Sequence, residues 1–312
     1  DGGDYPTGRA IGRVFSGEGL VDDYVNFLVR VPGKSLSGMR IAIDAANGST
    51  SAIAGRVWEG VGAKVQVICA SPDGYNINDR CGSTHIESLR AFVKESRVDA
   101  GFAYDGDGDR CIATDENGEE MNGDHMMAVL ADSMASRGVL KGNVVVGTVM
   151  SNFGLEAFLG ERGISLMRTQ VGDRFVLEAM RKGGYSLGGE QSGHIILRDI
   201  LETGDGILTS LMVAAVAADT GSAMSSLRSM MQDLPQVLVN VKTANPKKVV
   251  AKEAVKRAVE KAQADLAGSG RVLVRASGTE PLVRIMVESR DSERVARCIQ
   301  YLEEVIQRET EG

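Results

Sequence analysis

Tyr104-Asp105-Gly106-Asp107-Gly108-Asp109-Arg110 closes an apolar run that begins at residue 98. The run has the length and composition of a buried strand. Three aspartates at alternating positions follow it, and the glycines between them let the backbone bend so that the carboxylates converge on one hard cation. Carboxylate oxygens suit magnesium, manganese or calcium, not a soft metal. Arg110 stands beside that cation and can hold a phosphate oxygen. An EF-hand would need a helix before Asp105 and Glu116 as its last ligand; a strand precedes the loop, and Glu116 falls in a turn.

Outward from this loop the pattern is regular. Strands are expected at 39–45, 64–70 and 98–104, and helices at 51–61 and 86–96. Residues 111–114 and the turn Asp115-Glu116-Asn117-Gly118 read as a hairpin arm. A helix is expected at 124–136. Such alternation implies parallel βαβ units. Gly138 and Lys141-Gly142-Asn143 mark a boundary, after which a second block opens. Its strands are expected at 144–150 and 165–169, and its helices at 155–162, 173–181 and 206–218. Beyond Leu234-Pro235 strands at 237–241, 271–275 and 282–288 alternate with helices at 247–266 and 292–307. The tight loop between the last two strands suits a small α+β domain with an antiparallel sheet. Residues 1–35 are glycine-rich and loop-like, apart from a short amphipathic stretch at 21–31. The fold class is thus α/β: two successive mixed βα domains, 36–138 and 139–233, then an α+β domain, 234–312, with 1–35 too short to be a domain.

Two further loops carry chemistry. In Gly188-Gly189-Glu190-Gln191-Ser192-Gly193-His194, Glu190 and Ser192 can bind sugar hydroxyls, and His194 can bind or carry a proton near neutral pH. In Arg275-Ala276-Ser277-Gly278-Thr279-Glu280-Pro281, with Arg284 beyond it, backbone N–H groups, two hydroxyls and two arginines form an anion nest. A cation, polyol contacts and a phosphate clamp fit one ligand class, a phosphorylated sugar. No GxxxxGK[ST] string and no GxGxxG after a strand is present, so no nucleotide cofactor is indicated.

The net charge of -7 argues against a general nucleic-acid binder. Cys69, Cys81, Cys111 and Cys298 form no CxxC pair, and their spacing suits neither a zinc site nor a disulfide scaffold; free thiols in a reducing cytoplasm are expected. No apolar run approaches the ~20 residues that span a bilayer.

These loops, in the order DGDGDR, GEQSGH, RASGTEP, resemble the α-D-phosphohexomutase superfamily. Within it the likeness is strongest to the bacterial branch acting on glucosamine phosphates. It rests on Ser71-Pro72-Asp73-Gly74-Tyr75-Asn76-Ile77-Asn78, Cys81-Gly82-Ser83-Thr84-His85 and Arg168-Thr169-Gln170-Val171-Gly172-Asp173-Arg174. The resemblance implies four domains around one cleft. A phosphoserine of the first domain exchanges its phosphoryl group with the sugar, so that glucosamine 6-phosphate and glucosamine 1-phosphate interconvert through a bisphosphate. It implies magnesium on Asp105, Asp107 and Asp109, and Arg110 near the transferring group. Glu190, Ser192 and His194 would meet the sugar, with Arg174 a further candidate and His194 the proton carrier. Arg275, Ser277, Gly278, Thr279 and Arg284 would clamp the phosphate. A phosphomannomutase or phosphoglucomutase, or a phosphosugar-binding module without catalysis, are the alternatives. A homodimer is a further expectation. The superfamily's Ser-His-Asn string is not found in the chain, so residues 1–35 read as the remnant of the serine-bearing domain, and the chain alone is expected to be inactive.

Overall fold

The computed structural model describes residues 6–311 other than 267, 278 and 279. Helix α1 (Glu18–Arg30) comes first. Its Val25 and Leu28, one turn apart, are buried in the main core, and the helix packs on the block that follows it.

That block contains β1 (Arg40–Asp44), α2 (Ala54–Gly60), β2 (Lys64–Ile68), α3 (Glu87–Ser96), β3 (Ala100–Tyr104), β4 (Cys111–Thr114) and β5 (Glu120–Met121). The strands lie in the order β2-β1-β3-β4-β5, the first three parallel and the last two antiparallel. Both faces are covered. Ala42, Ala103 and Ile112 meet Leu89 and Val93 of α3. Ile41, Ile43, Phe102 and Tyr104 point the other way, where Trp58 stacks on Phe102 at 5.3 Å. This two-sided burial is why β3 reads as an unbroken apolar run. The chain winds from β1 to β2 on one side and then to β3 on the other, so the strand order reverses between β1 and β3, where ligands of such sheets bind at the carboxyl ends.

The second block repeats the plan with α4 (Gly123–Ser136), β6 (Val144–Thr148), α5 (Phe153–Gly160), β7 (Ser165–Thr169), α6 (Asp173–Gly183), β8 (Leu187–Gly189), β9 (Ile195–Leu197), α7 (Gly206–Thr220) and α8 (Met224–Arg228). Its order, β7-β6-β8-β9, matches the first four strands of the first sheet. The hairpin β8–β9 escapes a reading of the sequence because each arm is only three residues long. Helices α4 and α7 are buried along most of their length, α7 being apolar nearly all round. Both lie in the core cluster shared by the two blocks.

The third block holds β10 (Gln236–Lys242), α9 (Pro246–Ala251), α10 (Glu253–Asp265), β11 (Gly270–Ala276), β12 (Leu282–Ser289) and α11 (Ser292–Glu311). Its sheet is antiparallel in the order β10-β12-β11. The single helix expected over 247–266 is in fact two. Lys252 leaves helical geometry with ψ 138°, and its ammonium reaches the Glu309 carbonyl at 2.6 Å and the Glu309 carboxylate at 3.1 Å. That bend lets both pieces follow the β11–β12 sheet.

Candidate active site

The crevice at the end of β3 holds the aspartate loop. Gly48 and Gly106 meet so closely that a Cβ on Gly48 would lie 2.3 Å from the Gly106 carbonyl, which accepts from Ser49 N at 2.8 Å. Gly108 has φ +80°, a conformation glycine adopts at little cost. The bends bring carboxylate oxygens of Asp105, Asp107 and Asp109 within 4.8 Å of one another. Asp105 is buried and holds Arg110 twice: Oδ1 accepts from the Arg110 backbone N–H at 3.0 Å and Oδ2 from its Nε at 2.8 Å. The guanidinium is thereby oriented through Nε, and its Nη groups make no hydrogen bond among the described residues. Asp109 Oδ2 lies 3.0 Å from His194 Nδ1. Its Oδ1 is buried without a hydrogen bond, 3.6 Å from Arg110 Nε. A carboxylate oxygen out of water with no donor is costly unless a cation serves it. Three converging carboxylates and this orphan oxygen fit a hard divalent ion.

The sugar-binding candidates sit in the loop between β8 and β9, and this loop is laced to the first block. Cys111 N of the first block donates to the Gly193 carbonyl at 3.1 Å; Gly123 N, at the start of α4, donates to the Gln191 carbonyl at 2.9 Å, and Gly206 N, at the start of α7, donates to the Gly108 carbonyl of the aspartate loop at 2.9 Å. Glycine is required at the crossing points: a Cβ on Gly193 would lie 2.0 Å from the Cys111 carbonyl, and one on Gly123 2.0 Å from that of Glu190. Glu190 accepts from Gly172 N at 2.7 Å through Oε1, which draws the 170–174 loop to it. Ser192 is exposed and His194 buried. Arg174 is largely exposed; it lies over the Phe175 ring at 4.8 Å and pairs loosely with Glu178 at 3.7 Å.

In the third block Arg275 and Arg284 occupy opposite positions of the β11–β12 ladder, with Asn240 of β10 on the far side of Arg284. Like charges directly opposite are destabilising without an anion between them. Arg284 pairs with Glu280 at 2.9 Å, and its Nε is buried without a partner. Ser277 is buried, and its Oγ accepts from Glu280 N at 3.2 Å. Gly278 and Thr279 lie outside the described residues. No hydrogen bond or ion pair among the described residues joins this loop to the other two. The blocks meet elsewhere, through Arg271. Its guanidinium donates to the carbonyls of Val149 at 2.8 Å and Ser151 at 3.2 Å while pairing with buried Glu288 at 2.9 Å.

Two features near the site carry no signature in the sequence. One is buried Asp124, which accepts from Asn152 N at 2.7 Å; burial pushes its carboxyl up to about 7. The other is a cluster of Asp44, Cys69 and Cys81. Neither could be found from spacing, because each depends on segments far apart in sequence meeting in space.

A three-block α/β chain with a hard-cation loop at a topological switch, laced to a glycine-rich loop, is a phosphohexomutase-like arrangement. Known proteins divide along the same blocks. Residues 21–118 match phosphoglucomutase/phosphomannomutase alpha/beta/alpha domain II, residues 122–235 match alpha/beta/alpha domain III, and residues 238–305 match the C-terminal domain. The chain belongs to the phosphoglucomutase/phosphomannomutase family. It is 45% identical to a phosphoglucosamine mutase of Mycolicibacterium paratuberculosis over 98% of its length and 69% of the relative's. It is 48% identical to one of Streptomyces coelicolor over 93% and 64%. The chain thus spans about two thirds of the curated relatives it matches. In fold it is similar to a phosphoglucomutase/phosphomannomutase family protein of Burkholderia thailandensis (TM-score 0.76, 22% identity, 94% of this chain and 65% of that one). It is also similar to the N-acetylphosphoglucosamine mutase of Aspergillus fumigatus, solved with GlcNAc-6P and magnesium (TM-score 0.72, 18% identity, 91% and 69%).

Proposed function

We propose that the chain supplies the metal-, sugar- and phosphate-binding parts of a phosphoglucosamine mutase, an isomerase that interconverts glucosamine 6-phosphate and glucosamine 1-phosphate. One observation carries this reading furthest: Asp105, Asp107 and Asp109 converge beside an oriented Arg110, in a loop hydrogen-bonded to the one that bears Glu190 and His194. The identity to curated phosphoglucosamine mutases supports the choice of sugar.

In this reading the three aspartates hold magnesium, which offsets charge on the transferring phosphoryl group when bound. Asp105 aims the Arg110 guanidinium at that group. Glu190, fixed through Oε1 by Gly172, presents its second oxygen to sugar hydroxyls, with Ser192 and Arg174 at the open side. His194 is the candidate proton carrier through Nε2, because Nδ1 faces Asp109. Arg275, Arg284 and Ser277, with Gly278 and Thr279, clamp the substrate's standing phosphate. Binding of an anion between the two arginines would relieve their repulsion, so the clamp is favoured when filled. The phosphoserine expected of such enzymes is not among these 312 residues. Among the described residues no helix is long and apolar enough to cross a membrane; the proposed place of action is the cytoplasm, and sedimentation equilibrium distinguishes monomer from homodimer.

The test joins the chain to a serine-bearing first domain of one of its phosphoglucosamine mutase relatives. Phosphorus NMR should then show glucosamine 6-phosphate converting to the 1-phosphate, with magnesium required, and Arg110→Ala should abolish the conversion. Absence of turnover on hexosamine phosphate together with turnover on a mannose or glucose phosphate would overturn the assignment of the sugar. No turnover on any of them, with tight phosphosugar binding retained, would favour a binding module.

A further inference from the structure

At the carboxyl ends of β1 and β2, three side chains of unlike chemistry meet. Asp44 is the last residue of β1, Cys69 directly follows β2, and Cys81 lies in the loop before α3. A carboxylate oxygen of Asp44 and the two Sγ atoms lie within 4.8 Å of one another. Asp44 and Cys81 are buried, while Cys69 is half-buried, leaving one side open to an entering ion. Asp44 is held rigidly, Oδ1 accepting from Ala46 N and Oδ2 from Gly82 N, both at 2.9 Å. Hydrogen-bonded carboxylates are typical of metal ligands. Cys69 has φ +50°, an uncommon geometry for a residue with a Cβ and one that costs free energy. Its thiol faces Asp44 and Cys81.

We propose that Asp44, Cys69 and Cys81 form a second metal site, for a thiophilic divalent cation of the zinc class. Two sulfurs and one oxygen select a borderline or soft ion, whereas the all-oxygen aspartate loop selects a hard one. A tetrahedral zinc with bonds of ~2.3 Å to sulfur and ~2.0–2.2 Å to oxygen holds its ligand atoms roughly 3.5–3.8 Å apart. Small rotations of the two cysteine side chains close the present spacing to that value. Water would fill the fourth position on the open side. On binding, each Sγ–H loses its proton to solvent as the sulfur–metal bond forms, and Asp44 contributes as the carboxylate.

The site would act as a brace for the catalytic loop. Gly82 follows Cys81 and fits against Ala46 and the Tyr104 carbonyl, and Ser83 N donates to that carbonyl at 2.8 Å. A Cβ on Gly106 would lie 2.7 Å from both Asn78 Nδ2 and Ile77 Cδ1. Tying Cys69 to Cys81 closes the 70–80 loop onto the backbone that carries Asp105.

The test uses the 312-residue chain, purified under reducing conditions and stripped with chelator. Zinc is added in the presence of excess magnesium, and bound metal is counted after dialysis. About one zinc should stay bound, with release of about two protons in weakly buffered solution. Cobalt in its place should give a sulfur-to-cobalt charge-transfer absorption. Cys69→Ser and Cys81→Ser should each remove that absorption and weaken zinc at least tenfold, whereas Asp107→Asn should leave both unchanged. If a cysteine variant fails to fold, Cys69→Ala, at the more open position, and alkylation of the native chain with and without zinc decide the matter: zinc should protect both thiols. The proposal is overturned if zinc stays bound with both thiols alkylated, if Asp107→Asn removes it, or if no zinc is retained. It also fails if dissolved oxygen, supplied as the two-electron oxidant, converts the zinc-treated chain to a Cys69–Cys81 disulfide as readily as the metal-free chain. None of these outcomes depends on mutase activity.

Discussion

His194 Nδ1 lies 3.0 Å from Asp109 Oδ2, so a residue of the second block steadies a carboxylate of the first. The contact fixes Asp109 and leaves its Oδ1 as the group in need of a cation. His194→Ala should weaken magnesium binding by about 1 kcal/mol, roughly fivefold, through loss of one hydrogen bond. Titration calorimetry on the chain measures it, and an unchanged affinity would mean that Asp109 needs no such support.

Arg275 and Arg284 should behave differently with and without anion. Arg284→Ala removes one of two like charges at opposed ladder positions, so stability without anion should change by less than ~1 kcal/mol. The rise in melting temperature produced by glucosamine 6-phosphate should vanish. A variant that keeps the ligand-induced rise would place the phosphate elsewhere.

Gly123 opens α4, and alanine at a helix position ordinarily gains up to ~1 kcal/mol over glycine. Here the added Cβ would lie 2.0 Å from the Glu190 carbonyl. Gly123→Ala should therefore cost ~1–3 kcal/mol in urea unfolding. Gly160→Ala, at the end of α5 with no atom near the new Cβ, should be neutral or stabilising.

Asp124 gives stability a slope with pH. Burial raises its carboxyl from an ordinary 3.8 to about 7 in the folded chain. Between those values the unfolded chain has lost the proton and the folded chain keeps it, so this group's stabilising contribution is complete below about 4 and is lost as pH rises through about 7. The loss is on the order of a few kcal/mol. Asp124→Asn should flatten that slope and be more stable than the native chain at pH 8. Equal slopes in urea titrations would count against the assignment.

Arg271 ties the third block to the second through the carbonyls of Val149 and Ser151 and is paired with Glu288. Arg271→Ala leaves the buried Glu288 carboxylate without its ion-pair partner, a change that costs ~3–5 kcal/mol. Unfolding should then separate into two transitions, the 234–312 block melting first. A single cooperative transition at the native midpoint would show that the contact does not hold the blocks together.

Local pattern made much of this chain legible. The apolar run before Asp105 marked a strand with both faces covered, and the alternation around it marked two βα blocks and an antiparallel third. Less was legible where elements are short or bend for reasons outside themselves. The arms of β8 and β9 are too brief for a period to show. The break at Lys252 follows from the sheet beneath it and from Glu309 at the far end of the chain. The 18–30 helix, too short to stand alone, is held by burying Val25 and Leu28 beside α2.

Residue types and their order along the chain determined the kind of chemistry: three hard oxygen ligands, a polyol-binding loop and an anion nest, each local enough to be written in seven residues. Tertiary structure alone decided which of these meet. Asp109 and His194 are 85 positions apart, yet they share a hydrogen bond because glycines at 123, 193 and 206 let two backbones touch. The same holds for the cysteines. Their spacing shows no metal site and no pairing, but β1 and β2 end side by side, which sets Cys69 beside Asp44, and the bond from Gly82 N to Asp44 brings Cys81 of the following loop to them.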